Sequence, residues 1–230
     1  MPFPSTRHSV LEAVCSADQN ERTRAWDALI EAYWKPVYMH VRMKWRASNE
    51  DAADLTQGFF TRAMEKNFFD GYDAARASFR TFLRTCLDGY VSNEQKAATR
   101  LKRGGTLPML DFDTAERELA RAVDSGLTAE ECFHREWVRG LFGLAIDALR
   151  DAYDAEGKQP YFRIFQRYDL DEEKVTYDQL ANELGLNYTD VVNYLAAARR
   201  RFRKTLLDKL RQITADEREF EAEARYLLGR

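Results

Sequence analysis

The residues best placed to do chemistry are three carboxylates close together in the sequence, Glu50, Asp51 and Asp54. Carboxylates three residues apart share one face of a helix, where they could ligate a metal ion. Metal sites in helical bundles usually add Glu-x-x-His pairs, however, and none of the three histidines is placed in that way. No P-loop, nucleophile elbow or HExxH motif is present either. We therefore predict a protein that is not an enzyme, with no catalytic residue and no metal or other cofactor.

Composition predicts the elements that position these side chains. The 230 residues are 45% hydrophobic and 13% aromatic, which is enough for one large core or two small ones. With only 11 glycines and 5 prolines, and with long runs of Ala, Leu, Glu and Arg, the chain is predicted to be all-α. The cysteines are far apart, and no apolar stretch reaches the roughly 20 residues that a membrane span needs. We expect a cytoplasmic protein without membrane contact.

The net charge of -3 conceals a strong segregation of charge along the chain. Arg76 to Arg103 contains seven basic and two acidic residues, and Arg199 to Arg211 contains seven basic residues and one acidic residue. The intervening stretch, Gly104 to Glu136, contains eight acidic and three basic residues. Two positive patches separated by a negative connector are therefore expected.

The first helical block is predicted from about Val10 to Arg103. Within it, Ser48 is placed to cap a helix that has one apolar face. The opposite face carries Asp51, Asp54 and Gln57, and it is either an ordinary solvated face or a docking surface. The apolar residues are Ala52, Leu55, Phe59 and Ala63.

Two helices near the C-terminus are predicted to form a helix-turn-helix. Thr176 with Gln179 forms a capping box for the first helix. Gly185 supplies the left-handed residue of the turn, and Asn187 with Asp190 caps the second helix. The apolar residues that would pack the two helices together are Leu180, Leu184, Leu186, Val191 and Leu195.

The second of these helices has a polar and basic face suited to DNA. Side chains near its N-terminus would contact base edges, and the later basic side chains would contact phosphates. The ordinary alternative is an Arg-rich helix end that complements the helix dipole and water. We favour DNA binding, and the predicted contacts are Thr189, Val192, Asn193, Ala196, Arg199, Arg200, Arg203 and Lys204.

The first basic patch is less specific. Its basic residues interleave with Phe79, Phe82 and Tyr90, and positive charge beside aromatic faces is what single-stranded nucleic acid requires. The helical spacing of the two phenylalanines favours the core for those rings, which leaves nucleic acid to the polar residues. The predicted contacts are Arg76, Arg80, Arg84, Asn93, Lys96, Arg100, Lys102 and Arg103.

Three stretches, in this order, resemble the extracytoplasmic-function group of bacterial RNA polymerase sigma factors. DAADLTQGFF is similar to the D-A-E-D-L-T-Q-E-x-F signature of region 2.2, and SFRTFLRTCL is similar to the S-F-R-T-W-L start of region 2.3. TYDQLANELGLNYTDVVNYLAAARRRFRKTL resembles the region 4.2 helix-turn-helix. Order and spacing agree from roughly Trp26 to Lys209, although Gly58 stands where the family has an acidic residue.

The resemblance implies a layout of two domains. Residues 1–103 would form a helical bundle like sigma region 2, and residues 128–213 would form a helix-turn-helix domain like sigma region 4. The acidic linker 104–127 would join them and thread into the polymerase. One short helix, about 114–123, is predicted within this linker.

The resemblance also implies that the protein binds core RNA polymerase and directs promoter-specific transcription initiation. The helix-turn-helix domain would bind the -35 element and contact the β flap, while Arg76 to Arg103 would bind and open the -10 element. The alternative that remains open is a stand-alone helix-turn-helix transcriptional regulator, which would not bind polymerase and would favour palindromic sites. The residues expected to dock on the β′ clamp helices are Asp51, Asp54, Gln57 and Thr61.

The acidic C-terminal segment, 214–230, is predicted to form an extra amphipathic helix that Thr214 and Glu217 cap. The sequence leaves open three alternatives for regulation: this helix, an anti-sigma factor, or a regulatory kinase acting on Thr56 beside the docking face. The apolar residues of the helix, which would face a partner or the protein itself, are Phe220, Ala224, Leu227 and Leu228.

Overall fold

The computed structural model describes residues 10–14, 16–97 and 111–229. Over these residues the protein is helical and contains no strand, which confirms the all-α prediction. None of the described helices is both long enough and apolar enough to cross a membrane. The helices are α1 (Val10–Ala13), α2 (Gln19–Lys44), α3 (Asn49–Lys66), α4 (Phe79–Ala97), α5 (Phe112–Asp124), α6 (Ala129–Ala155), α7 (Gln159–Phe165), α8 (Tyr177–Leu184), α9 (Tyr188–Gln212) and α10 (Glu217–Leu228).

The chain divides into two compact units. The first unit consists of Met1–Gly140 together with Leu210–Arg230, and the second unit consists of Leu141–Lys209. The divisions fall within α6 and α9, so they differ from the domain limits predicted at residues 103, 128 and 213. The described C-terminal residues 210–229 therefore group with the N-terminal helices rather than with the helix-turn-helix.

Helix α2 forms the centre of the first unit. Its residues Trp26, Leu29, Tyr33 and Val37 recur at helical spacing, and each is at most 4% exposed. Helix α3 buries the apolar face that its sequence predicts, with Leu55 as the half-buried member. Burial of this kind contributes roughly 1.5–3 kcal/mol for each large apolar side chain, which is why the two helices pack together.

An aromatic cluster covers the start of α4. Phe79 is fully buried and packs edge-on against Tyr33, Phe69 and Tyr72, with ring centroids 5.2 to 5.6 Å apart. Phe82 is half-buried, and its ring centroid lies 5.2 Å from that of Tyr72. The prediction that these rings belong to the core is confirmed in full for Phe79 and in part for Phe82.

Helix α5 lies in the segment predicted to be a linker, and its described part is packed against α2. Ala115, Leu119 and Ala122 are buried along one face of α5. On the same helix Glu116 accepts hydrogen bonds from the Arg42 guanidinium at 2.6 and 2.8 Å, and this pairing holds the pKa of Glu116 below its usual value. The predicted short helix is thus confirmed as part of a longer one, and over the described residues 111–127 the segment belongs to the first unit.

The second unit has a core of its own. Leu149 and Tyr153 of α6 and Phe162 and Phe165 of α7 pack with the buried residues of α8 and α9. A π-helical turn, Gln166–Leu170, continues α7. The residues of α8 and α9 in this core are Leu180, Val191, Leu195 and Ala198, with Leu184, Leu186 and Phe202 packed against them.

Candidate nucleic-acid interface

The turn between α8 and α9 has the geometry that its residues predict. At the start of α8, the Thr176 hydroxyl accepts a hydrogen bond from the backbone N–H of Gln179 at 3.2 Å, and the Gln179 side chain accepts one from the backbone N–H of Thr176 at 2.7 Å. At its end, Gly185 adopts φ 64° and ψ 35°, a left-handed conformation that favours glycine. The N–H of Leu186 then donates to the carbonyl of Ala181 at 2.9 Å, which closes the helix end.

Helix α9 begins at the expected cap and turns its apolar stripe inward. The Asn187 side chain accepts from the backbone N–H of Asp190 at 2.8 Å. Val191 and Leu195 are at most 1% exposed against Leu180 of α8. The opposite face is therefore directed to solvent, and it carries the whole predicted set: Thr189, Val192, Asn193, Arg199, Arg200, Arg203 and Lys204 are exposed and Ala196 is half-buried.

The basic residues of this face differ in their partners. Arg199 donates to both oxygens of Asp169 at 2.8 and 2.6 Å, and this carboxylate raises the pKa of the Arg199 guanidinium. Within the described part of the chain, Arg200, Arg203 and Lys204 make no ion pair. The α9 face thus offers three free cations beside one that is already held.

The predicted contacts on α4 are less open than those on α9. Arg76, Asn93 and Lys96 are exposed, and Arg100, Lys102 and Arg103 lie outside the described residues. Arg80 and Arg84 have side chains only 17% and 16% exposed, and each is paired with a carboxylate of another helix, whereas Arg76 pairs with Asp73 at the surface. In this structure Arg80 and Arg84 are therefore held by carboxylates that the sequence analysis did not predict.

Arg84 pairs with Glu130 of α6 and lies over the ring of Phe133, 5.7 Å from its centroid. Arg80 lies over the ring of Trp137, 4.2 Å from its centroid, and pairs with Glu223 of α10. The sequence interpretation missed these partners because they are distant along the chain.

The C-terminal helix also differs from its prediction. Asp216, and not Thr214, caps α10, because its side chain accepts from the backbone N–H of Glu219 at 2.7 Å. The most buried residues of the helix are Glu219 and Glu223, whereas the four predicted apolar residues are half-buried. The four-residue spacing of Glu219 and Glu223 is the signal in the sequence for this face. The burial of Glu223 is explained by its partner Arg80 on α4.

The docking face predicted on α3 is present as one surface of that helix. Asp51 and Asp54 are exposed, and Gln57 and Thr61 are half-buried beside them. Ser48 caps the helix, accepting from the backbone N–H of Asp51 at 3.1 Å. The helix thus displays two carboxylates and two polar groups to solvent.

Two residues next to this face have structural explanations. A Cβ at Gly58 would overlap the Tyr90 hydroxyl of α4, so glycine leaves room for that ring. Burial raises the pKa of Tyr90 to about 12. Thr56 is fully buried, and its hydroxyl has no hydrogen-bond partner among the described residues. Phosphorylation of Thr56, one of the three regulatory alternatives, would therefore require this part of α3 to open first.

Comparisons with known proteins add no relative. No family model matches the chain, and no curated protein or solved structure matches it either. Among the described residues no cluster of three or more His, Cys, Asp or Glu side chains is arranged to hold a metal ion. Functional interpretation therefore depends on the surfaces of α3, α4 and α9.

Proposed function

We propose that the protein is a sigma factor that binds core RNA polymerase and directs promoter-specific transcription initiation. The observation that supports this most is the exposed polar and basic face of α9. This helix follows the capped helix α8 and a tight turn at Gly185. A helix held in this way can enter the major groove of DNA, because its partner helix supports it from behind.

On this proposal, α9 recognises the -35 element. Thr189, Val192 and Asn193 lie in the first turns of the helix and would contact base edges. Arg200, Arg203 and Lys204 lie further along the helix and would bind phosphates. Phosphate contacts fix the position of the helix on the duplex, while the base contacts would select the sequence.

Contact with polymerase distinguishes a sigma factor from a stand-alone regulator. The exposed carboxylates Asp51 and Asp54 on α3 support a docking role on the β′ clamp helices. Charges at the edge of an interface mainly increase the association rate and the choice of partner. A protein with this role works in the cytoplasm.

Opening of the -10 element is the step that the described conformation supports least. Arg76, Asn93 and Lys96 of the predicted surface are exposed, but Arg80 and Arg84 are occupied by carboxylates. Flipping a base out of a duplex costs a few kcal/mol, which contacts to the extruded strand must offset. On this proposal the surface around Arg80 must therefore open before the strand can bind fully.

Co-elution with purified bacterial core RNA polymerase tests the proposal. The wild-type chain should co-elute, and Asp51→Ala/Asp54→Ala should bind at least about tenfold more weakly, a loss of about 1.4 kcal/mol. The matched control is Asp147→Ala/Asp151→Ala, which removes the same charge from exposed residues of α6. This control should bind like the wild type.

Two outcomes would contradict the proposal. A wild-type protein that fails to bind core polymerase but protects a palindromic duplex would be a stand-alone regulator. Equal binding by the wild type and the Asp51/Asp54 variant would show that α3 is not the docking face.

A further inference from the structure

Helix α10 places two buried carboxylates on the start of α4. Glu219 and Glu223 are one helical turn apart and only 9% and 6% exposed. Glu223 accepts hydrogen bonds from Arg80, with Nη2 at 2.6 Å from each carboxylate oxygen and Nε at 3.2 Å from one of them. Glu219 accepts from the backbone N–H of Phe79 at 2.6 Å and from that of Ala215 at 2.9 Å. The predicted nucleic-acid residue Arg80 is thus covered by an anionic helix of the same chain.

Aromatic rings lie beneath and beside this ion pair. The Arg80 guanidinium is 4.2 Å from the centroid of the Trp137 ring, and Tyr226 of α10 packs edge-on against His134 with centroids 4.6 Å apart. Single-stranded nucleic acid binds to such a combination, because its phosphates pair with cations while its bases stack on rings. Helix α10 supplies both chemical elements, carboxylates for the phosphates and an aromatic ring for a base.

Buried carboxylates are unfavourable for a helix whose only role is to pack against its neighbours. Burying carboxylates requires their desolvation, and well-packed apolar residues are often as stabilising or more so. Yet Glu219 and Glu223 are more fully buried than the apolar residues Phe220, Leu227 and Leu228 of the same helix. The buried face of α10 is therefore matched to the cation on α4.

The neighbouring arginine shows the contrast. Arg84 lies one turn further along α4, and its carboxylate comes from Glu130, whose side chain is 70% exposed. Because one partner is so exposed, another anion can replace this carboxylate more easily than it can replace Glu223. Of these two arginines of α4, Arg80 is the one that pairs with α10.

We infer that α10 is an internal competitor of single-stranded DNA for the surface around Arg80. Glu219 and Glu223 occupy the places of strand phosphates, and the strand binds when α10 leaves. This inference rests on the proposed function, since it concerns regulation of the same -10 surface. When the binding surface is open in only a fraction of the protein molecules, the apparent affinity for the ligand is reduced by that fraction. Weakening the contact between α10 and α4 therefore raises the affinity.

The test is binding of a labelled single-stranded oligodeoxynucleotide to the full chain, followed by fluorescence anisotropy. Glu219→Gln/Glu223→Gln should bind about tenfold more tightly than the wild type, because more molecules are open. The matched control is Glu217→Gln/Glu221→Gln, which removes the same charge from exposed residues of α10 whose ion pairs, with Arg211 and Arg225, do not involve α4. This control should change the affinity less than about twofold, and adding Arg80→Gln to the first variant should remove its gain.

Hydrogen exchange on the wild type provides a second measurement that needs no variant to fold. Saturating single-stranded DNA should reduce the protection of the α10 amides while leaving that of α8 unchanged. The inference is overturned if the strand leaves α10 protection unchanged, if no strand binding occurs, or if the two double variants gain affinity equally. The last result would show that net charge alone is responsible.

The failure of this inference can be told apart from the failure of the proposed function. Co-elution with core polymerase that depends on Asp51 and Asp54, without a gain for the Glu219/Glu223 variant, would leave the sigma role and remove the competitor. A gain that requires Arg80 in a protein that does not bind core polymerase would leave the competitor and remove the sigma role.

Discussion

Helices α4 and α9 are both basic, yet the arginines predicted to contact DNA differ between them in burial and in partners. Each helix lies in a stretch that contains seven basic residues. On α9, Arg200 and Arg203 are exposed and make no ion pair with a described residue. On α4, Arg80 and Arg84 each hold a carboxylate from another helix. The sequence of a helix thus shows where positive charge lies, while acidic residues elsewhere in the chain determine whether that charge is available to DNA.

The burial of each ion pair determines how easily another anion can replace its carboxylate. The side chains of Arg199 and Asp169 are 46% and 24% exposed, whereas those of Arg80 and Glu223 are 17% and 7% exposed. Exposed pairs contribute about 0–1 kcal/mol, but removing one partner of a buried pair costs roughly 3–5 kcal/mol. A phosphate can therefore replace Asp169 at little cost, whereas Arg80 becomes free only when α10 moves.

The largest difference between the two helices should appear in stability. Arg80→Gln should lower the free energy of local unfolding at α4 by about 3 kcal/mol, because Glu223 would remain buried without its cation. Arg203→Gln, the matched control on α9, should stay within about 0.5 kcal/mol of the wild type. Native-state hydrogen exchange of the α4 amides measures the first value, and that of the α9 amides measures the second. Equal effects from the two variants would remove the distinction between a structural and a surface arginine.

A second experiment compares the helices in binding to duplex DNA. Removing Arg200, Arg203 and Lys204 together by glutamine substitution should lower the affinity on the order of 30-fold and reduce the slope of log affinity against log salt by about 2–3. Measuring affinity across a salt series gives both quantities. The control with the same charge change replaces three exposed basic residues of the first unit, and it should leave the slope unchanged. These residues are Arg24, Arg62 and Lys66.

The smallest expected effect concerns Arg199, the paired arginine among the predicted DNA contacts of α9. Asp169→Asn should release Arg199 and raise the affinity for duplex DNA about threefold, consistent with the small free energy of an exposed pair. Glu172→Gln removes the same charge from an exposed residue that makes no ion pair with α9, and it should have no effect. A decrease in affinity for Asp169→Asn would mean that the carboxylate positions Arg199 for DNA rather than competing with it.

Local signals predicted much of the second unit. The capping residue Thr176, the turn residue Gly185 and the cap Asn187 each act within a few residues of their own position, so their geometry follows from neighbouring sequence. The same holds for Val191 and Leu195, whose helical spacing determines which face of α9 is buried. The exposed face, and with it the candidate site on α9, follows directly from these residues.

Long-range pairs could not be predicted in the same way. Glu116 holds α5 on α2 through Arg42, a residue 74 positions earlier, and Glu223 pairs with Arg80, 143 positions earlier. Nothing in the sequence near an acidic residue indicates which distant cation it will meet. For this reason the sequence predicts a linker around α5 and DNA contacts at Arg80 and Arg84, without the carboxylates that these arginines meet.

The close approach of Tyr90 to Gly58 has a consequence for how the α3 surface can change by mutation. A side chain at position 58 meets the Tyr90 hydroxyl, so an acidic residue there is accommodated poorly while that tyrosine is present. Replacement of Tyr90 by a smaller residue removes the obstacle in advance. The two positions are therefore epistatic. A third carboxylate at position 58 is accommodated better when Tyr90 is replaced before Gly58 than in the reverse order.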